Sequence, residues 1–161
     1  MIKEVNLVPA DVKDVPQLYS LQLTAFESEA EMIGSRDVPA LLETQEANSA
    51  DFANWTTLIL VTPTGEIIGA IRYRPDGDLI EVGRLMVHPN YRRLGLAQRM
   101  IAEVDRAYPQ KTKELYTCTK SWINIRLYEK MGYRPFREVT ENSGLSFVYM
   151  RKIPSASLDK V

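Results

Sequence analysis

The sequence predicts an α/β domain of the α+β type, with a mixed, mostly antiparallel sheet of about seven strands flanked by about four helices. Short segments in which apolar and polar residues alternate indicate the strands, and longer segments with apolar residues at helical spacing indicate the helices. Single prolines and glycines separate these segments. The chain of 161 residues has room for one such domain. We expect that domain over residues 1–153, followed by a short tail over residues 154–161.

The amino-terminal third is predicted to contain one strand and two helices. Ile2 to Val8 alternates apolar and polar side chains, as a half-buried strand does. An aspartate with a proline two positions later, at Asp14 and again at Asp37, supplies a helix start by side-chain capping and a preset φ. The second helical stretch continues toward Phe52. We expect the acidic segment Glu27 to Glu31, between the two helices, to be a loop.

The middle of the chain is predicted to form three antiparallel strands. Two apolar runs, Leu58 to Val61 and Ile67 to Tyr73, are separated by the turn signal Pro63-Thr64-Gly65. A second turn signal, Pro75-Asp76-Gly77, leads into a third strand from Asp78 to Val87. These segments therefore predict a meander in the sheet.

The remainder of the chain alternates helices and strands. Ala97 to Tyr108 has apolar residues at helical spacing until a proline stops the pattern. Glu114 to Cys118 follows as a short strand, and Ser121 to Met131 as a helix whose first residue is the expected cap. Tyr133 to Val139 and Leu145 to Arg151 are predicted as a closing strand pair. We expect a ligand at the parallel part of the sheet.

Charge and composition exclude several classes of partner. Lys and Arg number 20 and Asp and Glu number 21, so the net charge is -1, without the basic excess typical of nucleic-acid or membrane binding. A single cysteine and a single histidine predict neither a disulfide framework nor a metal site. The amino terminus has no secretory pattern. We therefore expect a cytoplasmic protein with no nucleic-acid and no membrane partner.

Residues 91–97, Tyr-Arg-Arg-Leu-Gly-Leu-Ala, lie between the end of a predicted strand and the start of a helix. The first N–H groups of a helix have no partner within the helix, and together with the helix dipole they attract anions. Gly95 permits close approach of the backbone, so a phosphate or diphosphate is the natural ligand. The segment matches neither a Walker P-loop nor the dinucleotide fingerprint. A plain helix start with solvated arginines is the alternative.

The segment from Val82 to Ala97 resembles the acetyl-CoA-binding motif of the GNAT superfamily of N-acetyltransferases. In that family the motif is Arg or Gln, two residues, Gly, one residue, then Gly or Ala, and Arg92, Gly95 and Ala97 stand at those positions. The predicted context of strand, loop and helix is also the one that the family requires.

A second signature of the same family lies downstream. It comprises an asparagine, then a tyrosine, and then a short Glu-Lys-x-Gly-Tyr/Phe run. This sequence matches it with Asn124, Tyr128, Glu129, Lys130, Gly132 and Tyr133. The resemblance extends over essentially the whole chain and is weakest between Glu27 and Asn54.

The resemblance implies an acetyl-CoA-dependent N-acetyltransferase, an acyltransferase that moves an acetyl group to a primary amine of a small molecule or peptide by direct attack in a ternary complex. Acetyl-CoA would be a co-substrate, with no metal. Its diphosphate would lie on the backbone of the loop, and its pantetheine arm along the preceding strand. The implied coenzyme-binding residues are Leu85, Met86, Val87, Arg92, Arg93, Leu94, Gly95, Leu96, Ala97, Asn124 and Tyr128. A domain of GNAT fold that binds acyl-CoA without turnover, as a sensor or interaction module, is the alternative.

Two residues are carried over as catalytic. Tyr128 would donate a proton or a hydrogen bond to the departing thiolate, and an amphipathic core tyrosine is the alternative. Glu81 would act as general base for the amine, the alternative being a strand carboxylate paired with Arg72, Arg84 or another cation. An alkyl amine has a pKa of about 10.4, so a base is useful near neutral pH.

The acceptor is the least defined part of the prediction. Candidate acceptor residues are Phe26, Glu29, Arg84 and Trp122. The resemblance implies that specificity comes mainly from 26–37 and 137–146. The glutamates between residues 27 and 31 would suit a polycation, whereas Arg84 would suit a carboxylate-bearing substrate or pair with an acid. The sequence leaves the oligomeric state open, a homodimer included.

Overall fold

A computed structural model describes residues 4–154 of the chain. Within them, seven strands form one sheet and five α-helices accompany it, which confirms the predicted mixed, mostly antiparallel α/β fold. The elements are β1 (Asn6–Pro9), α1 (Val15–Ile33), α2 (Pro39–Leu42), α3 (Gln45–Asp51), β2 (Thr56–Val61), β3 (Ile67–Asp76), β4 (Leu79–Val87), α4 (Leu96–Ala107), β5 (Thr112–Cys118), α5 (Trp122–Lys130), β6 (Arg134–Thr140) and β7 (Ser146–Lys152). The start of the first predicted strand, residues 2 and 3, and all but the first residue of the predicted tail lie outside the described part.

The prediction that Glu27 to Glu31 is a loop was wrong, because α1 runs through this segment. No proline or glycine interrupts the chain there, and glutamate and alanine have good helix propensity. The helix ends at Gly34, whose φ of 77° is the left-handed conformation that closes many helices. The extension turns an expected loop into a rigid wall beside the sheet.

The second predicted helix is divided into two. Glu43 has an extended backbone, with φ -66° and ψ 130°, and ends the short helix α2. Thr44 then begins α3, because its side-chain oxygen accepts a hydrogen bond from the Ala47 N–H at 3.1 Å. The structure therefore has five α-helices where about four were expected.

The sheet has the order β1-β2-β3-β4-β5-β7-β6, and β4 with β5 is the parallel pair among the described strands. This pair is short. Leu79 to Glu81 of β4 pairs with Thr112 to Glu114 of β5, and no further pairs join the two strands. Beyond Glu81 the strands separate, which leaves the rest of that β4 edge without a strand partner.

A β-bulge distorts β4 where the strands separate. Ala70 of β3 lies opposite Met86, and Arg72 lies opposite Gly83, so two residues of β4 face one residue of β3. Arg84 in the bulge has a φ of 46°, which is unusual for a residue with a side chain. Bulges of this kind redirect side chains next to functional sites.

Apolar clusters cover both faces of the sheet. On one face, residues of β3 and β4 pack with Met100, Ile101 and Val104 of α4 and with Tyr128 of α5. On the other, α1 packs against β2, β3 and β4. No helix within residues 4–154 has the length and apolar character needed to cross a membrane.

Candidate active site

A large cleft of about 520 Å³ opens where β4 separates from β5. Its walls come from the end of β4, the loop before α4, one side of α1 and the start of α5. The implied coenzyme residues that line it are Leu85, Met86, Val87, Arg92, Arg93, Gly95, Leu96, Ala97 and Asn124. Two others do not: Leu94 is exposed outside the lining, and Tyr128 lines a neighbouring cavity.

The loop at one end of the large cleft has the backbone of an anion site. Arg93 and Gly95 both have positive φ, 62° and 76°. Alternations of this kind turn successive N–H groups toward one point. Gly95 is the residue before α4, so no side chain caps the first turn of that helix. The N–H groups of that turn remain available to an anion in the cleft.

The side chain of Arg92 is engaged by α1. Its guanidinium donates hydrogen bonds to the Ser28 hydroxyl at 2.7 Å and to the Ala25 carbonyl at 3.3 Å. Burial lowers the pKa of Arg92, against the opposing effect of the negative charge of Glu29. The Arg92 guanidinium is therefore occupied by partners on α1.

A small cavity of about 110 Å³ lies beside the large cleft. Phe26, Glu29, Leu85 and Asn124 line both, so the two spaces meet at these side chains. The remaining walls of the small cavity include Trp55, Arg72, Glu81, Arg84, Tyr116, Cys118 and Tyr128. A molecule in the small cavity would therefore lie next to the inner end of a molecule in the large cleft.

Glu29 stands at the junction of the two spaces. One of its oxygens accepts hydrogen bonds from the Ser121 hydroxyl and from the Asn124 amide, each at 2.7 Å. Burial raises the pKa of Glu29, and the two hydrogen bonds together with the charge of Arg92 only partly oppose this. Ser121 was predicted to cap α5, but its hydroxyl bonds Glu29 instead and caps nothing.

Tyr128 is almost completely buried on α5, with 7% of its surface exposed. Burial raises the pKa of its hydroxyl strongly, and the negative charge of Glu29 raises it further. The phenol is therefore protonated over the whole range in which proteins function, as a hydrogen-bond donor to a thiolate must be.

Glu81 forms an ion pair with Arg74, with 3.0 Å between Oε1 and Nε. The alternative to a catalytic role was an ion pair of Glu81 with Arg72, Arg84 or another cation. The structure has such an ion pair, and the cation is Arg74. Glu81 still lines the small cavity.

The other predicted acceptor residues divide between the two spaces. Phe26 lines both, Arg84 lines the small cavity, and Trp122, 55% exposed, lines the large cleft alone. Residues 137–146 line neither space, whereas 38–40 form part of the small cavity.

Arg72 and Tyr116 also line the small cavity, but the sequence alone indicated no ligand-binding role for either of them. Arg72 stacks on the ring of Trp55, 4.1 Å from its centre. A cation inside an otherwise apolar strand run was the signal that could have identified Arg72.

Comparison with known proteins agrees with this architecture. A family model described as an acetyltransferase (GNAT) domain matches residues 27–154. Among solved structures, the ribosomal-protein-S18-alanine N-acetyltransferase of Escherichia coli superposes with a TM-score of 0.75 at 14% identity, covering 93% of this chain and 94% of that one. PaiA N-acetyltransferase of Thermoplasma acidophilum, in complex with coenzyme A, gives 0.71 at 14% identity over 92% and 98%. At these identities the structural matches show the shared fold.

Among curated proteins, one relative is similar over most of this chain. The UPF0157 protein YqkA of Bacillus subtilis (strain 168) is 24% identical over 147 residues, which are 89% of this chain and 41% of that protein. The chain therefore spans about two fifths of the length of this relative.

Proposed function

Because the chain belongs to the GNAT acetyltransferase family, we propose that it is an N-acetyltransferase that moves the acetyl group of acetyl-CoA to a primary amine of a small molecule or peptide. The observation that carries the proposal is the separation of β4 from β5 beyond Glu81, which opens the large cleft at the amino terminus of α4. The small cavity beside it would take the acceptor.

Two features of the large cleft support coenzyme binding there. Backbone N–H groups from Arg92 to Ala97 would hold the diphosphate, which would explain how a chain of net charge -1 binds a strongly anionic molecule. The unpaired edge of β4 at Leu85 to Val87 would hydrogen-bond the pantetheine arm as an added strand does. A backbone donor there would also stabilise the negative charge that develops on the thioester oxygen, an effect worth about 3 kcal/mol.

In the chemical step, the amine nitrogen would attack the thioester carbon. An alkyl amine is protonated near neutral pH, so its nitrogen loses one proton before the attack and a second one as the amide forms. We assign the first proton to Glu29, because this carboxylate lies at the junction of the two spaces and burial raises its pKa. The new C–N bond forms, the C–S bond breaks, and the second proton passes to the departing thiolate. Tyr128 would donate to the departing thiolate.

Glu81, the base expected from the resemblance, stays a second candidate. Its carboxylate is paired with Arg74, and this ion pair would have to loosen before Glu81 could accept a proton. Glu29 would need no such change, since one of its oxygens accepts both hydrogen bonds. Replacing each glutamate separately by glutamine distinguishes the two bases, because only the true base should be essential for turnover.

The test is release of coenzyme A thiol from acetyl-CoA with a panel of primary amines, together with calorimetric titration of coenzyme A. We expect coenzyme binding, and thiol release that depends on an amine. Binding without amine-dependent release from any member of a broad panel would contradict the enzyme and support a sensor or interaction module that binds acyl-CoA without turnover.

A further inference from the structure

Two mostly buried arginines lie in the wall of the small cavity. Arg72 on β3 lies opposite Gly83 on β4, and Arg84 follows in the bulge. Only 15% of the Arg72 side chain and 16% of the Arg84 side chain are exposed. Two positive charges are therefore held close together, with little water to screen them, next to the space proposed for the acceptor.

These two arginines have more hydrogen-bond donors than the surrounding protein has hydrogen-bond acceptors for them. Each guanidinium carries five N–H donors in a planar fork. Arg72 makes one side-chain hydrogen bond, to Asp51 at 3.3 Å, and Arg84 approaches Glu43 at 3.5 Å. The Nε atoms of both arginines are buried and have no hydrogen-bond partner among residues 4–154. Buried charged donors left without acceptors are costly, so each guanidinium has hydrogen-bonding capacity to spare where its residue borders the small cavity.

The two neighbouring carboxylates are shared with other groups. The Glu43 oxygen that faces Arg84 also accepts hydrogen bonds from Gln22 at 2.9 Å and Asn48 at 3.0 Å. The Asp51 oxygen that faces Arg72 also accepts one from the Trp55 indole at 3.0 Å. Burial, followed by the charge of Arg84, lowers the pKa of Arg72 to about 10, even though both acids oppose this.

Water can fill the small cavity when no substrate is bound, and a void of about 30 Å³ that Arg72 and Arg84 also line has room for about one more molecule. A water molecule carries no charge, so it satisfies hydrogen-bond donors without neutralising the two guanidiniums. A carboxylate has about four acceptor sites and the planar shape that matches an arginine fork.

We propose that Arg72 and Arg84 bind a carboxylate of the acceptor, so that this enzyme acetylates a small amine that also carries a carboxylate, such as an amino acid. This inference rests on the proposed function. The size of the small cavity agrees with it, because a cavity of about 150 Å³ holds one benzene molecule and this one measures about 110 Å³.

Charges of both signs in the wall of the small cavity also suit such a zwitterion. Glu29 lies toward the large cleft, where the amine must meet the thioester, and the arginines lie in the other part of the wall. An amino group directed at Glu29 and a carboxylate directed at Arg72 and Arg84 would orient one small molecule by both ends.

The acidic segment no longer favours a polycation. Glu27 is ion-paired with Arg36, and Glu29 accepts its hydrogen bonds from inside the protein. Only Glu31 of the three glutamates remains without such a contact among the described residues. A cluster of free carboxylates able to attract a polyamine is therefore absent from this part of α1.

Pairs of acceptor amines that differ in their carboxylate test the proposal. The common α-amino acids are compared with their carboxamides, which keep the amine and lose the negative charge, and with spermidine. For the best substrate, we expect kcat/KM to be about 10- to 100-fold higher for the acid than for its carboxamide. Equal or faster turnover of the carboxamides or of spermidine would overturn the proposal. Absence of thiol release with every amine would instead refute the proposed function.

A substitution of Arg84 tests whether this arginine binds the carboxylate of the substrate. Arg84→Gln should raise KM for the amino acid about 10- to 100-fold and leave KM for its carboxamide unchanged. Arg106→Gln, which removes an exposed arginine paired with Glu103, is the control and should change neither. Equal increases in KM for both acceptors would contradict a carboxylate site.

A binding measurement keeps the proposal testable if Arg84→Gln does not fold. The unaltered protein, labelled with ¹⁵N in its arginines, is titrated with propionate and with propionamide, and the Nε–H resonances are followed. We expect two of these resonances to shift with propionate alone, and Arg84→Lys to remove one of them. No shift, or the same shift with propionamide, would overturn the carboxylate site irrespective of activity.

Discussion

Glu29 lies where the large cleft and the small cavity meet, and one of its oxygens holds both Ser121 and Asn124. Its raised pKa has opposite consequences for activity and for stability. A base must be ionised to accept a proton, so activity falls as the pH drops through the folded pKa. The stability that this group contributes is fully present below about pH 4.5 and is lost as the pH rises through that pKa.

Glu29→Gln separates these effects. Glutamine keeps an oxygen for Ser121 and Asn124 but accepts no proton, so we expect turnover to fall about 100- to 10,000-fold. The variant should melt at the same or a higher temperature near neutral pH, since burial no longer opposes a charge. Thiol release and thermal melting across the pH range measure the two effects. Turnover close to that of the unaltered protein would exclude Glu29 as the base.

Tyr128 allows a matched comparison with its neighbour. The rings of Tyr128 and Tyr133 lie 6.1 Å apart, and both pack in the same apolar cluster. Tyr128→Phe should lower turnover about 10- to 1,000-fold and leave coenzyme A affinity nearly unchanged.

The Tyr133 hydroxyl is buried without a hydrogen-bond partner among residues 4–154. Tyr133→Phe should therefore leave turnover unchanged and preserve or increase stability. Kinetics and calorimetry on the two variants make the comparison. If Tyr128→Phe turned over as fast as Tyr133→Phe, the proposed role of the Tyr128 hydroxyl would be lost.

At the scale of elements, the loop before α4 depends on one left-handed glycine. Gly95 and Gly77 both have positive φ, and a Cβ added at either meets no atom within 4 Å. Gly95→Leu and Gly77→Leu should each cost about 1–2 kcal/mol of stability. Only Gly95→Leu should also weaken coenzyme A binding, by about tenfold or more, because its side chain would project at the anion site.

Calorimetric titration of coenzyme A compares these glycine variants. The Gly77 turn between β3 and β4 lies outside both spaces, so Gly77→Leu controls for backbone strain. Equal affinities in the two variants would indicate that the diphosphate lies elsewhere.

Some of the predicted elements follow from nearby residues alone, whereas others depend on tertiary packing. The three strands between Leu58 and Val87 follow from alternation and turn residues, and the structure confirms them. The second turn is shorter than predicted, because β3 continues through Asp76 and only Gly77 and Asp78 form the turn. The length of α1 was underestimated because a run of glutamates is compatible with both a loop and a helix. What decides it is the packing of α1 along β3 and β4, which no local pattern contains.

At the scale of the whole molecule, Asp105 joins the helix layer to two strands of the sheet. It lies on α4, 2.6 Å from Lys152 of β7 and 4.0 Å from Lys113 of β5. Lys113 is 3% exposed, so the loss of its acidic neighbour would leave a buried positive charge with less compensation.

Asp105→Ala should therefore lower the free energy of unfolding by about 2 kcal/mol. Glu103→Ala on the same helix is the control, because its partner Arg106 is exposed, and it should cost less than about 1 kcal/mol. Urea denaturation of both variants measures the difference. Equal losses would show that Asp105 does not connect the layers.

By itself the sequence determined the fold class, most of the succession of strands and helices along the chain, and the loop before α4, because alternation, helical spacing and turn residues act over a few positions. Tertiary structure alone decided where Glu29 meets Ser121, 92 positions away, and how the β4 bulge brings Arg84 beside Arg72. These contacts join segments that are distant in the sequence. Burial raises the pKa of Glu29 and leaves the two arginines with few hydrogen-bond acceptors, and burial arises only when those segments pack together.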